Sequence, residues 1–222
     1  MNEQEPAPGH EQARRRYRGA SAEERQQERR QRLIEAGITV FGEQGYHGAT
    51  VRGLCAEAGL TERYFYESFA NSEDLLCAVY EQVIAVQHER VLSAFITAPR
   101  NPDAMIEAGL NALFTLARER PATARIQFVE VLGVSPRVDQ LYRQTVERFA
   151  TLMRELYISQ LPTSGGRPSD IDRDTLTVGL VGAVVGIAAR WLLMGFAQPQ
   201  AEVVACAAAI FRGALQQMEK PA

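Results

Sequence analysis

A single glycine, Gly59, separates two short helical patterns, and this arrangement constrains the local fold more than any other feature of the sequence. Thr50 can cap the first helix, because a threonine hydroxyl accepts a hydrogen bond from a backbone N–H one turn later. Gly59 has the backbone freedom that an abrupt helix end requires, and Leu60 is predicted to fill the space beneath it. Thr61 can cap a second helix, which ends near Phe69. The stretch is therefore predicted to form two short helices joined by a tight turn.

Two helices at a steep angle, joined by a glycine-containing turn, can place the second helix in the major groove of DNA. Helical spacing turns Phe65 and Phe69 inward. The other prominent side chains of the second helix face outward or partly outward: Glu62, Arg63, Tyr64 and Tyr66. An ordinary helical hairpin of an all-α protein has the same pattern, so these residues alone leave both interpretations open.

The composition is that of a soluble globular protein. The chain of 222 residues is long enough for one large domain or for a small domain joined to a larger one. Its residues are 46% apolar and 23% charged. The net charge of −3 does not indicate a nucleic-acid-binding protein, but residues 12–32 contain eight arginines and only three glutamates. Within this segment Arg14, Arg15, Arg16 and Arg18 could contact DNA phosphates or a minor groove, or could remain solvated.

Cysteine usage and hydropathy predict a cytoplasmic protein without a membrane partner. Cys55, Cys77 and Cys206 have no paired spacing, so neither a disulfide framework nor a zinc site is expected. The N-terminus is polar, and no secretory signal is predicted. The most apolar run, Leu176–Ala189, is too short to span a bilayer, and Arg190 follows it directly.

Helical periodicity extends along the chain without a convincing strand pattern, which predicts an all-α fold of about nine helices. We expect residues 1–21 to form a disordered basic arm and residues 22–70 to form the helix-turn-helix domain. A long helix over residues 71–96 connects this domain to the rest of the chain. Residues 97–222 are expected to form a second helical domain.

Small residues recur on the last two predicted helices. Gly179, Gly182 and Gly186 lie in the penultimate helix, where each glycine costs about 0.5–1 kcal/mol relative to alanine. They therefore indicate a close helix–helix contact, and Ala205 and Ala209 in the last helix provide a matching surface. We expect these helices to form a dimer interface, two from each subunit. Packing within one subunit is the alternative.

Four short segments carry a more specific resemblance: Phe41–Val51 (FGEQGYHGATV), Ala56–Thr61 (AEAGLT), Tyr66–Phe69 and the acidic–Leu–Leu entry Glu73–Leu76. Together they resemble the DNA-binding domain of the TetR family of transcriptional regulators. The resemblance implies a three-helix N-terminal domain and a helical C-terminal domain that dimerises and binds a small molecule. It implies a homodimeric repressor that a small-molecule effector releases from a pseudo-palindromic operator, with half-sites about 34–36 Å apart.

The resemblance also assigns a DNA-binding surface, whose residues are Thr50, Arg52, Thr61, Glu62, Arg63, Tyr64 and Tyr66. Arg63 could pair with the O6 and N7 atoms of a guanine, and Glu62 could accept from a cytosine amine or repel phosphate. Thr50, Arg52 and Tyr66 would contact phosphates. Arg63 and Tyr64 stand where the family usually has smaller residues, and Ser72 stands where it usually has a lysine, so the base preference should differ from that of better-known members.

The effector site is predicted only in outline. Apolar and aromatic residues of the middle helices could line a pocket, and one arginine in an apolar helix could anchor an acidic ligand, be paired or extend to solvent. These candidates are Phe114, Phe128, Tyr142, Phe149, Met153, Arg190 and Trp191. No cofactor or metal is expected.

Catalysis is not expected, because His10, His47 and His88 have no ligand spacing and no catalytic motif is present. A helical ligand-binding or interaction protein with a lapsed DNA-binding unit is the alternative function.

Overall fold

The computed structural model describes residues 21–156 and 172–219, which form nine α-helices and one π-helical turn and contain no strand. They are α1 (Ala22–Gln44), α2 (Val51–Ala58), α3 (Glu62–Ser68), α4 (Ser72–Thr97), α5 (Pro102–Glu119), α6 (Pro121–Arg125), the π-helical turn (Ile126–Glu130), α7 (Pro136–Leu156), α8 (Arg173–Leu193) and α9 (Gln200–Glu219). The all-α prediction is confirmed. The predicted contacts of the basic arm at Arg14–Arg18 lie outside the described residues.

Helix α1 begins and ends where local side-chain chemistry predicts. The Ser21 hydroxyl accepts from the backbone N–H of Glu24 at 3.1 Å, and the Glu24 carboxylate accepts from the Ser21 backbone in return, which makes a capping box. At the other end the N–H of Gly45 donates to the carbonyl of Phe41 at 3.1 Å, and the φ of Gly45 is 78°. Glycine adopts this positive φ without strain, so the chain turns away from the helix axis here.

The predicted turn between α2 and α3 is present. The Thr50 hydroxyl accepts from the N–H of Gly53 at 3.1 Å, and Gly59 adopts the left-handed conformation with a φ of 63°. The N–H of Leu60 then donates to the carbonyl of Cys55 at 2.9 Å, which closes the end of α2. Leu60 itself is half-buried against the core below.

One predicted cap is wrong. The Thr61 hydroxyl makes no hydrogen bond to the first turn of α3. The Thr61 carbonyl instead accepts from the N–H groups of Tyr64 at 3.0 Å and Phe65 at 3.3 Å. Because this turn closes through its backbone alone, the hydroxyl stays exposed on the surface.

Helix α4 extends from the first hydrophobic core of the protein to α5, which belongs to the second core. Its N-terminal half packs with α1, α2 and α3 in the first core, and a Cβ on Gly37 would lie only 2.7 Å from the Cγ2 of Val79. The second core lies among α5, α8 and α9. The π-helical turn contributes to both, because Ile126 is buried in the first core and Phe128 in the second. A displacement of this turn therefore affects both cores, and a displacement of α4 affects the second core through α5.

Helix α8 is longer than the apolar run in the sequence suggested. With 21 residues it is, among the described helices, the one long and apolar enough to cross a membrane, although 33% of its most apolar window is buried within the protomer. It ends through Gly195 and Phe196, both with a positive φ. The Phe196 ring packs edge-on against Trp191 at 4.8 Å, and its N–H donates to the Trp191 carbonyl at 2.9 Å. These contacts stabilise a backbone conformation that is uncommon for phenylalanine.

Candidate nucleic-acid interface and ligand cavity

An exposed polar surface is formed by α2, α3 and the residues preceding them. Every residue that the sequence predicted for the DNA-binding surface is exposed there: Thr50, Arg52, Thr61, Glu62, Arg63, Tyr64 and Tyr66. The inward residues of the same helices, including Leu54 and Phe65, are completely buried, and Phe69 is nearly so. The core contacts therefore hold α3 in position while its polar side chains remain accessible.

The side chains of α3 are supported by contacts from α1. The Arg63 Nε lies 3.0 Å from the Glu67 Oε1, and an Arg29 nitrogen lies 3.8 Å from the other oxygen of the same carboxylate. The Arg29 guanidinium also lies 4.6 Å from the centre of the Tyr64 ring. Because the Arg63 side chain is 84% exposed, its ion pair contributes only about 0–1 kcal/mol, and Arg63 can exchange it for another acceptor.

Sequence reasoning missed two members of this surface. The pairing of Glu67 with Arg63 could have been found, since residues four apart lie on the same side of a helix. The position of Arg29 over Tyr64 could not, because it depends on how α1 crosses α3. A further arginine of α1, Arg32, donates to the carbonyls of Ala58 at 2.6 Å and Gly59 at 3.3 Å and so caps the C-terminus of α2.

A cavity of about 100 Å³ lies among α4, α5, α7, α8, α9 and the π-helical turn. Most of its wall is apolar, with Phe95, Leu110 and Val184 as examples. The polar residues that reach it are Tyr80, Gln87, Gln127, Tyr142 and Thr145. No charged side chain is among the described residues that line it.

The polar groups of the cavity are electrically neutral. Burial raises the pKa of Tyr80 to about 12, against the smaller opposing effect of the Thr145 hydroxyl. Burial also raises the pKa of Tyr142. Both phenols therefore remain protonated at neutral pH. Gln87 is only 3% exposed, and its side-chain oxygen accepts a hydrogen bond from the Gln127 amide.

The predicted effector residues separate into two groups. Phe128, Tyr142, Phe149 and Met153 line the cavity, and Phe114, Arg190 and Trp191 do not. Phe114 and Trp191 are buried in the second core, with their rings edge-to-face at 5.7 Å. The prediction that Arg190 lies at the pocket is wrong, and helix geometry gives the reason. It lies nine residues after the cavity residue Val181, about 180° around α8, and it is exposed.

Gln87 and Gln127 are the main cavity residues that sequence reasoning missed. Val83, Gln87 and Val91 follow one another at helical spacing on the buried side of α4. A glutamine between two valines on such a stripe is a signal visible in the sequence. The partner Gln127 lies 40 residues away, and only the fold identifies it.

The family model described as "Bacterial regulatory proteins, tetR family" matches residues 33–79, from the middle of α1 into α4. The HTH-type transcriptional regulator YdgC of Bacillus subtilis is 26% identical over 185 residues, which cover 80% of this chain and 89% of YdgC. The chain belongs to the TetR family of transcriptional regulators. The matched segment contains all of α2 and α3, so this TetR-family protein is a DNA-binding transcriptional regulator with a helix-turn-helix.

Two solved structures share the fold of this TetR-family protein over most of its length. FadR from Bacillus subtilis, in complex with stearoyl-CoA, has a TM-score of 0.70 at 16% identity, covering 84% of this chain and 98% of FadR. AibR, in complex with isovaleryl coenzyme A and operator DNA, has a TM-score of 0.63 at 17% identity, covering 82% of this chain and 97% of AibR.

In the TetR-family protein the loop after α1 is attached to the π-helical turn that reaches the cavity. The N–H of Tyr46 donates to a carboxylate oxygen of Glu130 at 2.8 Å, and the other oxygen lies 2.8 Å from the Nε of Arg125. Nearby, a Cβ on Gly42 would lie 2.7 Å from the Cα of Ala122, so α1 and α6 are in direct backbone contact. Two residues of the same turn, Gln127 and Phe128, line the cavity.

The small residues of α8 and α9 are exposed in the protomer of the TetR-family protein. These are Gly179, Gly182, Gly186, Ala205 and Ala209. A Cβ added to any of the three glycines would meet no atom of the described residues within 4 Å. Packing within the described protomer therefore does not account for glycine at these positions.

Proposed function

We propose that this TetR-family protein is a homodimeric repressor that leaves a pseudo-palindromic operator when a small apolar effector occupies the cavity. Residues 22–70 act as the DNA-binding domain and residues 71–96 as the connection. Residues 97–222 provide the dimer interface and, together with side chains of α4, the effector site. The repressor acts in the cytoplasm, where its operator DNA is located.

The path of α4 from the first core to the cavity is the observation that carries this proposal. Tyr80, Gln87 and Val91 of α4 line the cavity, and residues of the same helix pack against the DNA-binding helices. The Tyr46–Glu130 hydrogen bond provides a second connection from the cavity to α1. A ligand that alters the position of α4 or of the π-helical turn would therefore alter the position of α3 relative to the second core.

The effector must bind the DNA-incompetent arrangement more tightly than the DNA-bound one, since equal affinity shifts no population. A complete switch between the two states requires a preference of about 10⁴-fold. A cavity between two packed cores can supply such a preference, because small changes in helix position open or close it. The related folds of FadR with stearoyl-CoA and AibR with isovaleryl coenzyme A support a ligand with an apolar chain in this domain.

The glycines of α8 and the alanines of α9 support the proposed dimer. Exposed glycines in a helix lower its stability unless another helix approaches closely, and a second copy of the chain provides such a helix. Two helices from each copy would form a four-helix interface. The same contact would cover the apolar surface of α8 that the protomer leaves exposed.

Selection from random DNA tests this function. Purified protein should enrich an inverted repeat with half-sites about 34–36 Å apart, and it should sediment as a dimer. Arg52→Ala should weaken binding to all sequences about equally and reduce the salt slope by about 1, as expected for a phosphate contact. Arg118→Ala, which changes an exposed arginine near the end of α5, should leave binding unchanged. Failure to enrich any sequence would favour the helical protein with a lapsed DNA-binding unit.

A further inference from the structure

The Gln87–Gln127 pair is the exceptional feature of the cavity. The surrounding wall is formed by apolar side chains and neutral hydroxyl groups. Gln87 is almost completely buried. It lies on the buried side of α4 between Val83 and Val91, where an apolar residue would be expected. A buried amide destabilises the folded protein unless its hydrogen-bonding groups are satisfied. A valine or leucine would stabilise this position if packing were its only role.

The two amides retain hydrogen-bonding capacity beyond the bond that joins them. Each glutamine side chain can make up to about four hydrogen bonds. The bond between them uses one donor of Gln127 and one acceptor of Gln87. Further donors and acceptors of the pair are available to a molecule in the cavity, since both side chains contribute to its wall.

We propose that the cavity binds an uncharged apolar chain bearing one carbonyl, amide or hydroxyl group, and that Gln87 and Gln127 hydrogen-bond this group. This inference rests on the proposed function, in which the same cavity is the effector site. The pair recognises the polar group, and side chains such as Phe95, Phe149 and Val184 enclose the chain.

Charge selects against carboxylates in this cavity. Among the described residues of its wall there is no arginine, lysine or histidine to neutralise an anion. The phenols of Tyr80 and Tyr142 are protonated and carry no charge. An ionised carboxylate would lose its hydration without gaining a cationic partner, which strongly disfavours its binding. The corresponding amide or alcohol loses less on entering the cavity and gains the bonds to the pair.

Two kinds of molecule can present an uncharged polar group on an apolar chain. The first is a free molecule, such as a fatty amide, a long-chain ketone or an alcohol. The second is the acyl end of a thioester, whose carbonyl is neutral and adjoins the apolar chain, with the charged part of the molecule outside the cavity. A site that hydrogen-bonds one group strongly rejects analogues that lack it, so both sources should depend on Gln87.

Isothermal titration of the full-length protein with matched eight-carbon probes tests the inference. The probes are octanamide, 1-octanol, octanoate and octanoyl-coenzyme A at neutral pH, with butylbenzene as an apolar probe without a hydrogen-bonding group. Octanamide should bind at least about tenfold more tightly than octanoate. Gln87→Leu should lower the affinity for octanamide about tenfold and leave the affinity for butylbenzene unchanged or higher.

Gln82→Leu is the matched control. It makes the same substitution on the same helix, at a residue that lines only a smaller neighbouring cavity of about 50 Å³. Thermal melting checks that each variant folds, and Gln127→Leu replaces Gln87→Leu if the latter does not. Octanoyl-coenzyme A binding that weakens in Gln87→Leu assigns the carbonyl to a thioester, and free coenzyme A should then not compete.

Several results would overturn the inference. These are octanoate binding as tightly as octanamide, equal losses in the Gln82 and Gln87 variants, octanoyl-coenzyme A binding that is indifferent to Gln87, and no binding of any probe. None of them affects the proposed function if the protein still selects an operator and another ligand releases it. Loss of the proposed function would appear separately, as no enriched operator in the selection from random DNA.

Discussion

Replacing Glu130 by alanine removes the contact that attaches the loop after α1 to the π-helical turn. The side chain of Glu130 is 11% exposed and holds two groups, the backbone N–H of Tyr46 and the guanidinium of Arg125. A hydrogen bond to a charged group contributes about 1.5–3 kcal/mol. The Arg125 side chain is 45% exposed, so this ion pair adds only about 0–1 kcal/mol. We expect Glu130→Ala to reduce the free energy of unfolding by about 2–3 kcal/mol.

Thermal melting measures this loss directly. For a chain of this length, about 1 kcal/mol corresponds to a shift of about 2–4 °C in Tm, so Glu130→Ala should melt roughly 5–10 °C below the wild type. Arg125→Ala is the matched control, because it removes the ion pair and keeps the bond to Tyr46, and its Tm should fall by no more than about 3 °C. Glu130→Gln keeps an acceptor for Tyr46 and should lie between the two.

The same variant tests the connection between the cavity and α1. If the Glu130 carboxylate transmits effector binding to the DNA-binding domain, an effector should release Glu130→Ala from its operator less completely than it releases the wild type. Gel-shift titration with the selected operator measures the difference. A Glu130→Ala protein that melts within about 1 °C of the wild type and responds fully to effector would refute this reasoning.

Arg63→Ala should reduce operator affinity by about 1–3 kcal/mol at a single base position, measured by gel shift against operators with single substitutions. Gly182→Leu should shift the protein from dimer to monomer in sedimentation while leaving the helix content unchanged, because no described atom of the protomer lies within 4 Å of its Cβ position. Tyr80 binds its proton more tightly in the folded protein, so stability should fall by about 2–3 kcal/mol between pH 10 and pH 12. Tyr80→Phe should abolish that part of the pH dependence in chemical denaturation.

Each of these three predictions would be contradicted by a different result. Equal loss of affinity by Arg63→Ala at matched and mismatched operators would exclude a base contact. A Gly182→Leu protein that remains a dimer would place the interface elsewhere. A Tyr80→Phe protein with unchanged stability loss at alkaline pH would assign that loss to other groups.

The helix boundaries of the DNA-binding domain could be predicted because their causes are local. Thr50 and Gly59 each act on a backbone group within one turn, and the structure has both caps. The prediction that the Thr61 hydroxyl caps α3 was wrong, and the cause is again local. A backbone carbonyl can close the first turn of a helix, and the residue type alone does not show which group does so.

The lining of the cavity could be predicted only in part. Aromatic and apolar residues of the middle helices are candidates from composition, but a helix has a buried side and an exposed side. Arg190 lies about 180° around α8 from the cavity residue Val181, and its side chain is exposed. Phe114 and Trp191 satisfy the same composition rule as Phe149, and they pack against each other instead.

The sequence by itself determined the all-α class, the turn at Gly59 and the family resemblance, because each is the sum of local patterns: helical spacing, single caps and short motifs. Only the tertiary structure decided which distant side chains meet. The Tyr46–Glu130 bond joins residues 84 positions apart, and the Gln87–Gln127 bond joins residues 40 positions apart. Such pairs depend on the angle and register of whole helices, which are set by the combined packing of both cores. The turn at Gly59 forms part of the proposed DNA-binding surface, and contacts of this long-range kind connect that surface to the cavity.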